Sequence, residues 1–556
     1  MKARLLLCLS VTASLFVGSG LSAAATATAA TPPPARFSPG LLIRPYASSS
    51  ATVTQALNVA HANGVQAITA PVRWSDVAGY SAPGPMRWGP LDQMLTSAGG
   101  LGMKVSLQVF GTPAWVHPEV TGPGDLSWYP PSSAAELTSW SQFISATVHR
   151  YGTRLSAYQI WNEPNAATFW LPAPSPVGYA TLLRSSYLAA KAANPNVVVE
   201  FGGLSGNDAG YLSAFYKAAS ATFTDSQSNH WFFDRLNVHP YTANNLPDVR
   251  NPQDTVVGAF GSVDRDFQGF ALLRSAMAQA GDSAKHLRIG EYGASTAPTW
   301  MPAVTDQYRA LMLKRSLTLA AASGYVDELD WYAYYPNGVD TAEWDIVGPQ
   351  FQASPTMVAL KQWASGTGPA VNVVVPATAT GVVSIGTTLG GAPPVGADLY
   401  VDGRWVATGL GRLLSWDSRT STPGTHAVLV VAKSIDGSVW PSAVQQVTVV
   451  NPTPTIVLAS LIVPPVGTLH GQVVPVVATL TSDVVGVVPA LVVAVRDASG
   501  AAYDFPMLQN VAVAPTGTTI TFTGSFPAAG PFQVWLAEYT GSAWTSLTTP
   551  STVNIV

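Results

Sequence analysis

Tyr158-Gln-Ile-Trp-Asn-Glu-Pro-Asn165 is the stretch that decides how this chain folds. Its first half is apolar and rich in strand-forming residues, which predicts a strand from Ala157 to Glu163. Proline has no N–H to donate to a neighbouring strand, so Pro164 ends the pairing. The strand therefore finishes on an acidic side chain, that of Glu163.

A second stretch, Leu287-Arg-Ile-Gly-Glu-Tyr-Gly293, has the same form. Side chains alternate between the two faces of a strand, so Leu287, Ile289 and Glu291 share one face. Gly290 permits the close approach of a neighbouring element because it has no side chain. This strand also carries a glutamate at its carboxyl end.

Outward from these two stretches, short β-branched runs alternate with longer helical stretches as far as about residue 365. Eight such pairs predict an α/β fold, a closed (β/α)8 or TIM barrel over residues 37–366. An open doubly wound sheet is the competing fold, but the first strand is not followed by a Gly-rich phosphate loop. The predicted strands are Leu41 to Tyr46, Gln66 to Trp74, Lys104 to Phe110, Ala157 to Glu163, Val197 to Gly202, Arg235 to Tyr241, His286 to Tyr292 and Val326 to Tyr332. The predicted helices include Val53 to Ala62, Ala134 to Arg150, Gly178 to Ala193, Asp264 to Ala280 and Gln307 to Ser323.

Beyond residue 366 the helical periodicity stops, and Val, Thr, Gly and Pro dominate short alternating segments. The segment from Ala397 to Thr408 predicts a hairpin around Asp402 and Gly403, because Asp-Gly is a strong turn signal between alternating strands. Residues 369–450 are therefore predicted to form an all-β sandwich that resembles bacterial immunoglobulin-like modules, and residues 452–556 a second β-sandwich.

The amino terminus has the pattern of an export signal. Lys2 and Arg4 precede an apolar run from Leu5 to Val17, and small residues such as Ala27-Thr28-Ala29 follow it. A membrane anchor is the weaker alternative, because the run stops short of the ~20 apolar residues that a span needs. We therefore expect residues 1–30 to be a cleaved signal peptide, and the mature protein to be secreted and extracellular, without an integral membrane segment.

Composition excludes several classes of function. Cys8, the only cysteine, lies in the predicted signal, so disulfides, thiolate catalysis and cysteine-bound zinc are not expected in the mature protein. The balance of 27 basic and 31 acidic side chains, net −4, is not that of a nucleic-acid-binding protein. His and Asp show no metal-ligand spacing, so no metal and no cofactor is expected. The 17 tryptophans favour a carbohydrate ligand, because sugar rings stack on aromatic faces.

The two glutamates end strands four and seven of the predicted barrel, which places them on facing parts of its rim. Reactive groups of such barrels sit at the carboxyl ends of the strands. Hydrolysis of a glycosidic bond with retention needs a protonated acid and an ionised nucleophile about 5 to 5.5 Å apart. Opposed strand ends can supply that separation.

With these two motifs the chain resembles the clan A glycoside hydrolases, whose signatures are Asn-Glu-Pro ending strand four and a glutamate ending strand seven. The resemblance covers about residues 38–365 and is closest to family 39 and family 5 enzymes. It implies that Glu163 is the general acid/base and that Glu291 is the nucleophile. It also implies that Asn162 binds the hydroxyl beside the anomeric carbon. Strict alternation puts Asn162 and Glu163 on opposite faces, so both reach substrate only if the strand end is bulged or turned.

Further positions are predicted to bind substrate or to support the glutamates. His239 and Tyr241 alternate on one face of strand six, beside strand seven. Tyr241 resembles the clan tyrosine that hydrogen-bonds the nucleophile, and Arg73, ending strand two, resembles the clan arginine that stabilises the same carboxylate. Trp331 on strand eight is expected to floor the sugar subsite, and Trp115 to line the cleft.

We therefore predict a retaining O-glycosidase that acts on a polysaccharide or oligosaccharide, with endo action favoured over exo action by the long loops of the barrel. The β domains are candidates for association with a cell wall. Two alternatives stay open at this point: a transglycosylase, which shares both glutamates, and a noncatalytic carbohydrate-binding protein that uses the barrel as a scaffold.

Overall fold

The computed structural model describes residues 37–120, 125–249, 255–299, 301–334, 343–365, 369–402, 404–435, 439–540 and 543–556. The predicted signal peptide, residues 1–30, lies outside these ranges and stays a prediction. Within them, every helix is too short or too polar to cross a membrane.

Residues 38–331 contain eight main parallel strands that close into a barrel, and a ninth, short strand, Leu204–Ser205, pairs with the sixth of them. Each strand pairs with the next along the chain, the first pairs with the eighth, and a bridge from Glu200 to Arg235 joins the fifth to the sixth. The predicted (β/α)8 fold is confirmed. The strands are β1 (Ser38–Leu42), β2 (Ala67–Arg73), β3 (Lys104–Phe110), β4 (Ala157–Ile160), β5 (Val199–Glu200), β6 (Leu236–His239), β7 (Leu287–Tyr292) and β8 (Val326–Trp331).

Helices surround the barrel and bury their apolar stripes against it. They are α1 (Ser50–Ala62), α2 (Trp74–Ala78), α3 (Gly89–Gly100), α4 (Ala134–Tyr151), α5 (Pro176–Ala193), α6 (Ala209–Thr222), α7 (Phe270–Gln279), α8 (Asp306–Ala322) and α9 (Pro355–Ala364). A capping box starts α4, where Ser133 accepts from the N–H of Glu136 and the Glu136 carboxylate accepts from that of Ser133. The helix predicted to start at Asp264 starts at Phe270, because Gly261–Asp264 pairs with Thr255–Gly258 in a hairpin.

The interior of the barrel holds a group of buried charges. Arg288 of β7 is fully buried and pairs with three carboxylates, those of Glu200 at 3.0 Å, Glu328 at 2.9 Å and Asp330. Burial raises the pKa of Asp330 well above its usual range, which favours its protonated form. A buried arginine must be paired, so these acids hold β5, β7 and β8 together from inside.

Two all-β units follow the barrel, each built of two sheets around a shared apolar core. The predicted β-rich architecture is confirmed, whereas the immunoglobulin-like topology and the domain limits stay predictions. The first unit has the strands Val371–Val374, Thr378–Ala379, Val382–Leu389, Gly396–Val401, Arg404–Gly409, Leu413–Asp417, Gly424–Lys433, Val439–Pro441 and Gln445–Val449. The second has Ile456–Ile462, Val473–Ser482, Gly486–Arg496, Leu508–Val513, Thr518–Ser525, Gly530–Tyr539, Trp544–Ser546 and Ser551–Ile555.

The predicted hairpin of the first unit is present. Val401 pairs with Arg404, and Asp402 has a φ of 51°, the left-handed conformation that a two-residue turn requires. Gly403, the second turn residue, lies outside the described residues. The Asp402 carboxylate lies 2.6 Å from Nδ1 of His426, whose Nε2 lies 2.6 Å from the Thr422 carbonyl.

Both acceptors around His426 favour its doubly protonated form, which makes the stability of the first β unit pH-dependent. The hydrogen bond with Asp402 raises the pKa of His426 in the folded state. The stabilisation that protonated His426 provides is therefore fully present below its pKa in the unfolded chain, about 6.5. It is lost as pH rises through the pKa of His426 in the folded protein. We expect the melting temperature of the wild type relative to His426→Gln to be highest near pH 6 and to converge above the folded pKa. A difference independent of pH between 5 and 9 would contradict this.

Candidate functional site

The candidate site lies where the carboxyl ends of β4, β6 and β7 meet. β4 ends at Ile160, three residues earlier than predicted, because the backbone turns: Trp161 and Glu163 have φ of 71° and 42°, in the left-handed region. The strand alternation stops there, so Asn162 and Glu163 are both directed to the mouth of the barrel. The turn that both side chains need in order to reach a substrate is thus observed, and both are largely buried, at 8% and 7% exposed.

His239 of β6 lies between the two glutamates. Its Nδ1 is 2.9 Å from Oε1 of Glu163 and 3.8 Å from Oε2 of Glu291. One oxygen of each carboxylate and this nitrogen all lie within 4.8 Å of one another. Three residues that are remote in sequence therefore form one compact acid–base group.

Burial and charge set the protonation of this group. Burial alone would lower the pKa of His239, but the charge of Glu291 and the hydrogen bond with Glu163 outweigh it, so the pKa of His239 is raised. Burial raises the pKa of Glu291 as well, and His239 offsets this only in part. The group therefore holds at least one proton near neutral pH, on a hydrogen bond that links His239 to Glu163.

Neighbouring side chains fix the orientation of the acidic groups. Tyr241 donates its hydroxyl to Oε2 of Glu291 at 3.2 Å, as predicted. Burial and the negative charge of Glu291 raise the pKa of Tyr241 well above its usual range, so the hydroxyl keeps the proton that it donates. On the other side, Gln108 of β3 donates to Oδ1 of Asn162 at 2.9 Å. Sequence reasoning did not single out Gln108, although it lies near the end of a predicted strand.

A second polar layer lies beneath the site. Asn237 donates to Gln159 at 2.7 Å and accepts from the N–H of Gly290 at 2.9 Å, which ties β6 to β4 and β7. A Cβ at Gly290 would lie 2.5 Å from Oδ1 of Asn237, so this position needs glycine. Position 203 also needs glycine, since a Cβ at Gly203 would lie 2.0 Å from Nε2 of His239.

Arg73 is placed differently from its predicted role. Its guanidinium donates to Asp125 at 2.7 Å and lies over the rings of Phe110 and Trp128. The arginine whose charge, after that of His239, opposes the burial-raised pKa of Glu291 is instead Arg44, which follows β1. β1 ends at Leu42 and not at the predicted Tyr46, which leaves Arg44 in the loop above the strand.

The aromatic residues of the site also differ from those predicted. Trp331 is 1% exposed and packs in the barrel core against Tyr292, because strand alternation turns it away from the mouth. Its neighbour Tyr332 lines the pocket. Trp115 packs edge-on against Trp74 and donates to the carbonyl of Gly79.

Glu291 and Asn162 line a pocket of about 430 Å³ at the mouth of the barrel. Its wall combines aromatic rings with charged and amide groups, which suits a ligand with both apolar and hydroxyl surface. The lining residues are Arg44, Tyr46, Ala47, Pro71, Arg73, Asp76, Gln108, Phe110, Trp128, Asn162, Phe169, Glu291 and Tyr332.

Glu163, His239 and Glu291 also offer ligand atoms at a spacing that a metal ion could use. Metal binding requires His239 without its Nδ1 proton. The hydrogen bond to Glu163 and the raised pKa of His239 favour the protonated nitrogen. The geometry therefore suits proton transfer better than metal binding.

Comparisons with known proteins find that this chain is similar to others in structure only. No family model and no curated protein matches the sequence. A family 39 glycoside hydrolase from the gut symbiont Bacteroides cellulosilyticus WH2 is 18% identical, with a TM-score of 0.48 over 69% of this chain and 79% of the other. A glucosidase from Croceicoccus marinus is 12% identical, with a TM-score of 0.45 over 88% of this chain and 94% of the other. A β-galactosidase from Marinomonas ef1 is 14% identical, with a TM-score of 0.42 over 59% of each chain.

Proposed function

We propose that this protein is a retaining glycoside hydrolase in which Glu163 is the general acid/base and Glu291 the nucleophile. The separation of the two carboxylates carries the proposal. Oxygens within 4.8 Å of one another fit the separation of about 5 to 5.5 Å used by retaining enzymes. Inverting enzymes place a water between carboxyl groups about 6.5 to 9.5 Å apart, a larger separation than that of the nearest oxygens of Glu163 and Glu291.

In the first step Glu291 attacks the anomeric carbon, the bond to the leaving oxygen breaks, and Glu163 gives that oxygen its proton. The proton is drawn from the hydrogen bond between His239 and Glu163, where the two atoms lie 2.9 Å apart. In the second step Glu163 takes a proton from water, which displaces Glu291 from the sugar. The configuration of the anomeric carbon is retained because it is inverted twice.

Other residues of the site would bind the reacting sugar or tune the nucleophile. Asn162, held by Gln108, is positioned to bind the hydroxyl beside the anomeric carbon. Burial raises the pKa of Glu291, and Arg44 and Tyr241 oppose that rise and so favour the ionised form. The rings of Trp128 and Tyr332 are the candidate stacking surfaces for the sugar, in place of Trp331 and Trp115.

We further propose that the substrate is a polysaccharide or oligosaccharide met outside the cell, with endo action. This extension depends on the export signal predicted at residues 1–30 and on the long loops of the barrel. The two β units are the candidate parts for association with a cell wall.

Mass spectrometry after incubation with a panel of 2-deoxy-2-fluoro glycosides tests the proposal. Such compounds slow the release of the glycosyl-enzyme, so a reactive member leaves a stable adduct and also reports which sugar is accepted. We expect the adduct on Glu291, and an adduct on any other residue would overturn the assignment. Product analysis with and without an added sugar acceptor separates hydrolysis from transglycosylation.

Tyr241→Phe is expected to lower kcat/KM by about 10- to 100-fold, the range for loss of a hydrogen bond to a charged group. The variant also removes a contact that lowers the pKa of Glu291, so the acidic limb of the pH–rate profile should move to higher pH. Tyr503→Phe is a matched control, because its hydroxyl donates to Asp497 within the second β unit, away from the site. An unchanged acidic limb in Tyr241→Phe would contradict the assigned role.

A further inference from the structure

Lys433 is the only lysine in the chain after Lys361, and it points from the first β unit to the barrel. It ends the strand Gly424–Lys433. Its ammonium lies 2.7 Å from Oδ2 of Asp398 in the same unit and 3.4 Å from Oδ2 of Asp248 in the barrel. The one lysine of the two β units thus joins the first unit to the barrel.

Asp248 is the acceptor on the barrel side, and it is held tightly. Its side chain is 7% exposed, and Arg315 of α8 donates to its other oxygen at 2.6 Å. A carboxylate shielded from water in this way depends on both cations, because charges out of water must be paired. The two cations come from different domains: Arg315 holds Asp248 from within the barrel, and Lys433 holds it from the first β unit.

Asp248 closes a short segment that begins beside the nucleophile. Residues 240–249, named here the Tyr241 segment, follow β6 directly. Near its start Thr242 shares a hydrogen bond with the hydroxyl of Tyr292 at 3.0 Å, and near its end Gln268 donates to the carbonyl of Pro247 at 3.4 Å. With Asp248 held by Arg315 and Lys433, the segment is anchored at both ends.

We propose that the first β unit is a positioning part of the active site, in which Lys433 holds the Tyr241 segment through Asp248 and so keeps the Tyr241 hydroxyl on Glu291. The catalytic meaning of this role rests on the proposed function. The contact of Lys433 with Asp248 is a property of the folded chain and can be measured without a substrate. Lys433 is thus a positioning residue, and it acts on the nucleophile through Tyr241.

The competing role of Lys433 is to neutralise Asp398, whose side chain is 1% exposed. Lys433→Met alone would leave that carboxylate buried and unpaired and could unfold the unit. The test variant is therefore Lys433→Met combined with Asp398→Asn, in the full-length chain. Asp398→Asn alone and Lys433→Arg keep the cation at residue 433, and Arg419→Met removes a cation that pairs with Asp417 inside the unit.

Hydrogen–deuterium exchange measures how far Lys433 stabilises the Tyr241 segment. We expect exchange in residues 242–249 to be about tenfold faster in the double variant, the scale of one lost partly buried ion pair, and unchanged in the three controls. Faster exchange throughout the first β unit, without a change in residues 242–249, would show that Lys433 serves only the fold of that unit and would overturn the proposal.

Nitrogen-15 NMR of labelled histidine tests the action through Tyr241. His239 lies 3.8 Å from Glu291, so its titration reports the charge of that carboxylate. We expect the double variant to shift this titration in the wild-type background and to leave it unmoved in the Tyr241→Phe background. Equal shifts in both backgrounds would overturn the positioning role. Neither readout needs turnover, so a protein that cleaves no glycoside refutes the proposed function without deciding this inference.

Discussion

Glu291→Gln is expected to lower kcat by ~10⁵-fold on any glycoside that the wild type cleaves, as for loss of a catalytic nucleophile. The amide has almost the same shape as the carboxylate and can still accept the hydrogen bond from Tyr241. It does not attack the anomeric carbon, so no glycosyl-enzyme forms. Substrate binding should persist, which isothermal titration calorimetry with an oligosaccharide would measure.

The matched control is Glu119→Gln, which changes an exposed glutamate in the loop after β3. It should leave kcat within twofold of the wild type, within the ~0.5 kcal/mol expected for a surface change. Turnover by Glu291→Gln within tenfold of the wild type would remove the proposed mechanism. A noncatalytic carbohydrate-binding protein would instead show the same binding and no turnover in both wild type and variant.

Glu163→Ala is expected to lower kcat by about 10²- to 10⁴-fold on substrates with poor leaving groups, the usual contribution of a general acid. An aryl glycoside with a very acidic leaving group needs no protonation, so its first step should be nearly unaffected. The glycosyl-enzyme then accumulates, because Glu163 no longer activates water. Added azide, which needs no base, should restore turnover and release a glycosyl azide of retained configuration.

Rapid-mixing kinetics and product analysis with azide check this prediction. Adding Glu291→Gln to Glu163→Ala is the control, and it should abolish the azide product, since no covalent intermediate can form. An equal loss of rate for good and poor leaving groups would contradict the general-acid role of Glu163. An azide product of inverted configuration would contradict the double displacement.

The barrel and its two glutamates could be predicted because the signals for them are local. A β-branched run followed by Pro164, and an alternating run with Gly290 inside it, each fix one strand and one side chain at its end. The eightfold repeat of strand and helix then predicts that the parallel sheet closes into a barrel. None of these steps needs knowledge of contacts between distant residues.

The substrate-binding residues were harder to predict because they depend on where each strand ends. Because β1 ends at Leu42, Arg44 lines the pocket as well as Arg73, and because side chains alternate along β8, Tyr332 lines it where Trp331 was predicted. The strand ends depend on pairing between neighbours, which a single sequence does not display. Strand assignments that err by a few residues therefore still find the glutamates, which stand next to Pro164 and Gly290, but misplace the aromatic rings.

Contacts between remote residues left no signal in the sequence. The buried pairing of Arg288 with three acids was not foreseen, because its strand reads as one more apolar run. The contact between Lys433 and Asp248 joins two domains whose packing no local pattern encodes. Only the scarcity of lysine in the β units sets Lys433 apart in the sequence.

The backbone at the end of β4 shows that this chain has not been selected for stability alone. Trp161 and Glu163 both adopt left-handed conformations that cost non-glycine residues of order 1 kcal/mol or more each. Glycine at position 163 would relieve that cost and remove the reactive group with it. Selection for greater heat resistance therefore cannot remove this backbone strain without loss of Glu163. Variants that tolerate higher temperature should arise by changes elsewhere in the chain.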